Sequence, residues 1–312
     1  MFSVDYALVI YINCLSTVPI YTNYRTYISA TFNTPYFDKL IMVPLYSKNS
    51  LDMQAIKNQL STKIIGRTIH GFDTINSTNS KARILAIEDA DEGTVIFAEV
   101  QSSGKGRLNR EWSSPKGGLW LSIILRPNIK PTESTRMTLM AGVVVAKVLI
   151  KIYGLDARIK WPNDVMIGDK KVCGILTELR TIGGEIEHLI LGIGINVNFD
   201  LEELPKEIRK FSTTLKHEMG KKLSLIELSS ELLNEMDEWY DILISGKYDR
   251  ITSLWKELSD TLGKQVKITT QKESVEGVAL DIEDDGGLIV DDAKNGRRKF
   301  LAGDILYVSK II

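Results

Sequence analysis

Between Gln101 and Leu125 the chain reads QSSGKGRLNREWSSPKGGLWLSIIL, and these residue types suit the binding of an anion. Gly104 and Gly106 let backbone N–H groups approach a ligand closely, while Lys105, Arg107 and Arg110 offer a point charge and forked donors to phosphate or carboxylate oxygens. Trp112 follows, and a second glycine pair, Gly117 and Gly118, opens onto an apolar run. The spacing is neither GxxxxGK(S/T) nor GxGxxG, so neither a P-loop nor a dinucleotide fingerprint is present. A cationic glycine loop also serves as an ordinary solvated turn, so its meaning depends on the company it keeps.

Three further stretches keep that company. Ser77, Thr78 and Asn79 precede Ala82, Leu85 and Ala86 at helical spacing. Any of the three side chains serves as an N-cap, and a cap also leaves backbone donors and a hydroxyl free to face a cavity. Ala157 to Asp169 (ARIKWPNDVMIGD) runs as a strand into the break at Trp161-Pro162, then Asn163-Asp164, then a second strand closed by Gly168-Asp169. The return, KKVCGILTEL, places Lys171 beside an apolar run: either a solvated strand start, or a buried stem with its ammonium in a cleft. Glu187 to Asn198 (EHLILGIGINVN) reads as a central strand whose Gly192 and Gly194 make room for a ligand or a neighbouring backbone, or mark a packing bulge.

Regular elements must hold these pieces. GTVIFAEV (Gly93 to Val100) feeds the glycine loop as a buried strand and Leu119 to Leu125 leaves it as another, so the loop ends are fixed. Leu51 to Leu60 suggests a short helix, and Thr68 to Phe72 is extended. Thr132 to Tyr153 predicts a helix with Met140, Val144, Val148 and Ile152 on one face, Thr132 or Ser134 as cap and Gly154 as stop. Ser224 to Glu227 is a capping box that opens a helix with a core stripe through Trp239, and Ile251 to Leu262 predicts one more. From Gly263 the runs QVKITT, VEGVALDIE, GLIVDDA and RRKFLAGDILYV predict five short strands in a small barrel or sandwich.

Length and composition bound the possibilities. With 312 residues the chain has room for one large core and a smaller module. Its 39 basic and 40 acidic residues leave no basic excess of the kind a duplex binder shows, so no nucleic-acid partner is expected. Cys14 and Cys173 fit neither a disulfide framework nor a metal spacing, which favours a reducing, cytoplasmic setting; Cys173 reads as a small buried hydrophobe. Only three histidines are present, with no HExxH, so no built-in metal site is expected. In residues 1–50 the nearly apolar Ala7 to Leu15 is too short to span a bilayer and lacks a basic flank, so no membrane anchor is expected. No winged-helix pattern is visible there either.

Taken in order, Ser77-Thr78-Asn79, the loop from Gln101 through Trp112, KWPND (Lys160 to Asp164), KxxGIL (Lys171 to Leu176) and GIGINVN (Gly192 to Asn198) resemble the biotin–protein ligases, whose loop reads GRGRxGRxW. The resemblance covers about Leu51 to Leu262, and the β-rich stretch from Gly263 matches as well. It implies an α/β (α+β) fold: a mixed β-sheet backed by helices over residues 51–262, then an SH3-like β-barrel over residues 263–312, after an extension of unknown structure over residues 1–50. It also implies ligation of biotin to a lysine of a biotin carboxyl carrier domain through enclosed biotinyl-adenylate, with ATP and its magnesium as co-substrate. Exposed edge strands allow a homodimer. Lipoate–protein ligases and lipoyl or octanoyl transferases share a similar core, and a regulator that binds the adenylate is a third reading; the KWPND and GINVN wording favours biotin.

The resemblance assigns roles residue by residue. Ser77, Thr78, Asn79, Gln101, Gly104, Lys105, Lys171 and Gly174 match the biotin side, and Arg107, Arg110, Trp112, Lys171 and Asn196 the nucleotide side. Lys171, Arg107, Lys105 and Asp164 match the catalytic positions, with Asp164 orienting either the incoming lysine or magnesium. Two residues depart from the pattern. Lys105 replaces Arg, which keeps the charge but loses the fork and implies a looser hold on the adenylate. Asn109 replaces Gly and tolerates left-handed backbone, which preserves the loop's turn.

Overall fold

The computed structural model describes residues 51–308 apart from Ala293, and the expectations for residues 1–50 lie outside the described residues. The helices are α1 (Met53–Lys57), α2 (Thr78–Ile87), α3 (Thr135–Tyr153), α4 (Lys206–Arg209), α5 (Leu215–Met219), α6 (Leu225–Ile244) and α7 (Tyr248–Glu257). The strands are β1 (Ile69–Ile75), β2 (Val95–Gln101), β3 (Leu119–Leu125), β4 (Ala157–Lys160), β5 (Asp164–Ile167), β6 (Lys170–Ile182) and β7 (Glu185–Ile195). Five more follow: β8 (Gln265–Thr269), β9 (Ser274–Ile282), β10 (Leu288–Asp292), β11 (Gly296–Phe300) and β12 (Asp304–Tyr307).

The first seven strands form one mixed sheet in the order β1-β2-β3-β7-β6-β5-β4. β1 and β2 run parallel through the α2 crossover, and every other neighbour pair is antiparallel. Side chains of a strand alternate between faces, and the two faces have different covers. Val95, Phe97, Leu121, Ile123 and Leu191 face the main core with α3 and α6, whereas Ile96, Ile124 and Ile190 meet Ala82 and Ala86 of α2. Those two alanines let α2 lie close on the sheet. The helix starts at Ser77, whose hydroxyl accepts from the Ser80 N–H at 3.4 Å.

The far end of α2 is tied down by Arg126, just beyond β3. Its guanidinium donates to the carbonyls of Ala86 at 3.0 Å, Ala90 at 3.1 Å and Glu187 at 3.0 Å, satisfying acceptors that the helix end leaves open. α3 ends as the sequence predicts, with Gly154 in left-handed backbone, φ 66°. Its N-cap Ser134 makes no side-chain capping bond, and a 3-10 turn over Pro131–Glu133 leads into the helix. α7 spans Tyr248–Glu257 rather than Ile251 to Leu262: residues after Leu258 turn toward the second sheet, where Thr261 donates nothing to a helix and its hydroxyl instead accepts from the Trp161 N–H at 2.9 Å.

The C-terminal stretch does hold five strands, but the expectation of an SH3-like barrel is wrong. The sheet order is β11-β10-β9-β8-β12, and the end strands β11 and β12 do not pair, so the sheet stays open. Alternation along these strands signals that one face is buried but not what buries it. Here Val266, Ile268, Ala279, Leu288 and Val290 join the same hydrophobic cluster as the first sheet and its helices. Polar ties reinforce that docking: Arg136 Nε donates to Asp284 O at 2.8 Å, and Trp161 Nε1 to Gly286 O at 3.1 Å. With its apolar face covered by the core, the sheet has no need to close on itself. Among the described residues no helix is long and apolar enough to cross a membrane.

Arg126→Met retains the stem and removes three bonds to otherwise open carbonyls. It is expected to cost about 2 kcal/mol, read as a lowered urea midpoint at unchanged slope. A midpoint equal to that of the wild type would contradict the tethering role.

Candidate active site

Strand register places one residue from each of seven strands in a single row across the α2 face of the sheet: Phe72, Ala98, Trp120, Gly194, Gly174, Asp164 and Lys160. The two glycines lie side by side on β6 and β7 and make a trough whose floor is bare backbone. Trp112 lies in it. A Cβ on Gly194 would stand 2.5 Å from Trp112 Nε1, and one on Gly174 would stand 2.8 Å from Trp112 Cζ3, both closer than real Cβ contacts allow. The indole meets Trp120 edge to face, with centroids 6.3 Å apart, and its buried N–H has no acceptor among the described residues. The glycines therefore make room for a ring directly on the sheet.

One row along, Gly192 makes the same allowance for Asn79, whose Oδ1 lies 2.1 Å from where a Cβ would be. Asn79 donates to Glu178 Oε2 at 2.7 Å, and its Oδ1 accepts from Ser122 Oγ at 2.6 Å. Gln101 Oε1 accepts from the Thr78 N–H at 2.8 Å and the Thr78 hydroxyl at 3.1 Å, while Gln101 Nε2 donates to Ser114 Oγ at 2.8 Å. Ser77, Thr78, Asn79, Ser114 and Ser122 are all buried. The result is a network of fixed amide and hydroxyl donors and acceptors beside the trough, anchored through Asn79 to Glu178 and suited to an uncharged polar ring.

The cationic loop forms a hairpin that continues from β2. Gln101 bridges Ser114, Lys105 bridges Glu111, and Trp112 N–H donates to Gly104 O at 2.9 Å. At the tip Leu108 (φ 54°) and Asn109 (φ 58°) are both left-handed, and Arg110 N–H donates to Arg107 O at 3.1 Å, which makes a type I′ turn. Asn109 suits that conformation, as the sequence suggests; an exposed leucine there costs about 1 kcal/mol or more. Neither Gly104 nor Gly106 has positive φ. Gly104 is needed for space, because its Cβ would stand 2.3 Å from Trp112 O and 2.7 Å from Ser114 Oγ.

The second sheet grips this hairpin. Arg107 Nη2 donates to Gly303 O at 3.1 Å, Arg107 Nη1 stands 3.8 Å from Asp304 Oδ1, and Arg110 pairs with the same Asp304. Arg107 Nη1 also donates to Asn163 Oδ1 at 3.1 Å, and Asn163 is itself held by Ile175 O at 2.7 Å. Burial pulls the Arg107 pKa below its ordinary value, and the carboxylates of Asp304 and Asp164 oppose that pull.

Lys171 completes the trough. Its Nζ lies 2.6 Å from Asp164 Oδ1 and 4.9 Å from the Trp112 ring centroid, and its stem passes Gly174. The segment after α4 fixes its backbone: Lys171 N–H donates to Phe211 O at 2.7 Å, and Lys171 O accepts from Thr213 N–H at 3.0 Å. Asn196 is tied in through the same segment, its Nδ2 donating to Thr213 O at 3.0 Å. Cys173 points the other way, fully buried in the main core, and burial pushes its thiol pKa far up. A buried neutral thiol is a poor nucleophile, which removes it as a transferase residue.

The structure thus gathers Ser77, Thr78, Asn79, Gln101, Gly104, Arg107, Trp112, Asp164, Lys171 and Gly174 around one trough. Lys105 is exposed, with no side-chain partner among the described residues, and Arg110 is exposed and paired with Asp304. Asn196 is buried behind Lys171 with its amide nitrogen already committed. Sequence reasoning did not single out Ser122, Asn163, Glu178 or Asp304. Ser122 had a readable signal as the one polar residue in LWLSIIL, and Asn163 stood inside KWPND; Asp304 sits in an ordinary alternating strand with nothing to mark it.

Comparison with known proteins agrees with this geometry. Residues 71–196 match the biotin/lipoate A/B protein ligase family, and residues 261–307 match the biotin protein ligase C terminal domain. The bifunctional ligase/repressor BirA of Bacillus subtilis (strain 168) is 33% identical over 256 residues, covering 82% of this chain and 78% of that protein. The biotin–[acetyl-CoA-carboxylase] ligase of Mycobacterium tuberculosis is 28% identical over 271 residues, covering 83% and 96%. The structure of biotin protein ligase from Aquifex aeolicus in complex with biotin and ATP superposes with a TM-score of 0.67 at 28% identity, covering 78% of this chain and 99% of that one. On these similarities, this chain belongs to the biotin–protein ligase family.

Proposed function

We propose that the trough is where this ligase joins biotin to a protein lysine, and that its residues divide the work as follows. The observation that carries the reading is the Lys171 ammonium at the edge of a glycine-floored trough, between a network of amides and hydroxyls and a cationic hairpin. Thr78 and Gln101, tied in by Ser122 and Ser114 and flanked by Ser77 and Asn79, take the ureido ring of biotin. Gly104 keeps that network close to the hairpin.

The first step joins two anions, so fixed cations matter more than a base. The biotin carboxylate attacks the α-phosphorus of ATP, and pyrophosphate leaves. Lys171 and Arg107 neutralise the carboxylate and the α-phosphate, Arg107 by its fork and Lys171 as a point charge. Arg110, Trp112 and Asn196 lie on the nucleotide side, with the indole offering its face to adenine. Magnesium enters as part of the ATP substrate. Lys105 adds charge at the open edge of the hairpin.

In the second step the lysine ε-amine of a carrier domain attacks the mixed anhydride, and AMP leaves. A lysine with a reference pKa near 10.4 is mostly protonated at neutral pH and must lose a proton to react. Asp164 is paired with Lys171 at 2.6 Å. Once Lys171 turns to the substrate anions, that carboxylate is released to accept the proton. The carrier is the biotin carboxyl domain of a biotin-dependent carboxylase, the substrate class for which the Mycobacterium tuberculosis relative is named. Residues 51–262 carry the chemistry, and Gly303 and Asp304 of the second sheet hold the hairpin in place.

Intact mass of a purified carrier domain after incubation with this protein, ATP, magnesium and either biotin or lipoate tests the reaction. A biotin-sized addition on one lysine is expected, lost in Lys171→Ala; addition with lipoate alone would overturn the substrate. For Asp164→Asn, transfer from preformed biotinyl-adenylate is expected to fall by about 100-fold at neutral pH and to recover in part as pH rises toward the lysine pKa. An unchanged transfer rate would remove Asp164 as the base.

A further inference from the structure

The row of residues that forms the trough ends on Lys160, which has no task in the reaction as described. It lies on β4 directly opposite Asp164. Its neighbour Ile159 packs toward Gly142 of α3, so alternation along the strand turns Lys160 to the trough face. Among the described residues Lys160 forms no ion pair, whereas the cations around it are committed. Lys171 is paired with Asp164 at 2.6 Å and Lys264 with Asp260 at 2.5 Å.

What holds Lys160 is an aromatic ring. Its Nζ stands 4.4 Å from the centroid of Tyr307 in β12, and that ring is fixed by a bond from its hydroxyl to Asp260 Oδ2 at 2.7 Å. Burial lowers the Lys160 pKa, the carboxylates of Asp164 and Asp260 raise it, and Lys171 and Lys264 lower it again. Arg107 feels the same Asp164 carboxylate. One end of the trough therefore holds the positive charges of Lys160, Lys171 and Arg107 around Asp164, while the nearby carboxylates of Asp260 and Asp304 are paired with Lys264 and Arg110.

The geometry points to Lys160 as the residue that receives the departing pyrophosphate. This inference rests on the adenylation reading above and adds the place of the leaving group. In that step a carboxylate oxygen of biotin bonds to the α-phosphorus. The bond from the α-phosphorus to the α–β bridging oxygen breaks, and its electron pair leaves on pyrophosphate. Charge therefore builds on the bridging oxygen beyond the α-phosphate, past the reach of a group that spans carboxylate and α-phosphate. A cation already held in a partly desolvated position, with no carboxylate to give up, stabilises that charge without reorganisation. The bland alternative is that Lys160 is a strut joining β4 to the second sheet through Tyr307.

Lys160→Met separates the two, because it keeps a flexible stem over the ring and removes the charge; Lys160→Arg restores the charge. Three readouts are compared with the wild-type full chain: single-turnover pyrophosphate release with biotin and ATP, the KM for inorganic pyrophosphate in the reverse reaction, and transfer from synthetic biotinyl-adenylate to a purified carrier. In Lys160→Met release is expected to slow by about 10–100-fold and the pyrophosphate KM to rise by about 10-fold, with transfer within about two-fold of wild type. Lys160→Arg is expected to recover most of the loss. Unchanged release and pyrophosphate KM, or an equal fall in both half-reactions, would overturn the assignment and leave the strut. Absence of pyrophosphate release from the wild type would instead bring down the adenylation reading and this inference with it.

Discussion

Everything at the site depends on two glycines that face each other across a pair of strands. Gly174 and Gly194 sit in register on β6 and β7, in the middle of a seven-stranded sheet whose other positions on that row carry side chains. A glycine in a strand interior weakens it, since it has more backbone freedom to lose and nothing to pack. Here the loss is offset by a large core on the opposite face, where α3 and α6 cover continuous apolar strands. The gain is a floor on which an indole and the stem of Lys171 lie at backbone distance, a geometry that any Cβ would push away.

The cationic hairpin is then a bridge between two sheets. Its strands continue β2 on one side, and Gly303 and Asp304 hold its arginines on the other. Because the second sheet is docked to the core by its apolar face, its edge is available to position the loop. An open sheet and a gripped loop are thus one arrangement. Asn163 closes the circuit by joining Arg107 to Ile175 within β6, so the two cations flanking Asp164 are placed by three separate elements.

Much of this was legible in the sequence because local chemistry left marks. The glycines of KxxGIL and GIGIN, the lysine beside an apolar run and the cap residues before α2 each signal a local need, and their order along the chain narrows the meaning. Asn109 signalled its left-handed backbone, although Leu108 beside it did not. What was not legible depends on distant partners. Alternation in the last 50 residues shows that one face of each strand is buried, and a barrel is one way to bury it; docking on α3 and α7 is another, and nothing local distinguishes them. Asp304 is unmarked for the same reason: its role comes from arginines nearly two hundred positions away. The end of α7 was overextended because apolar residues at Leu258 and Leu262 continue a helical pattern while already belonging to the turn into the second sheet.

The most direct test of the account is the rate of biotinyl-adenylate formation in Gly194→Ala. Gly194 has ordinary strand backbone, so alanine is compatible with the fold, but its methyl carbon would fall 2.5 Å from Trp112 Nε1 and fill the trough floor. A protein that unfolds at nearly the wild-type urea midpoint yet forms adenylate at least about 10-fold more slowly is the predicted result. Wild-type adenylation by the folded variant would show that the chemistry does not take place on this floor.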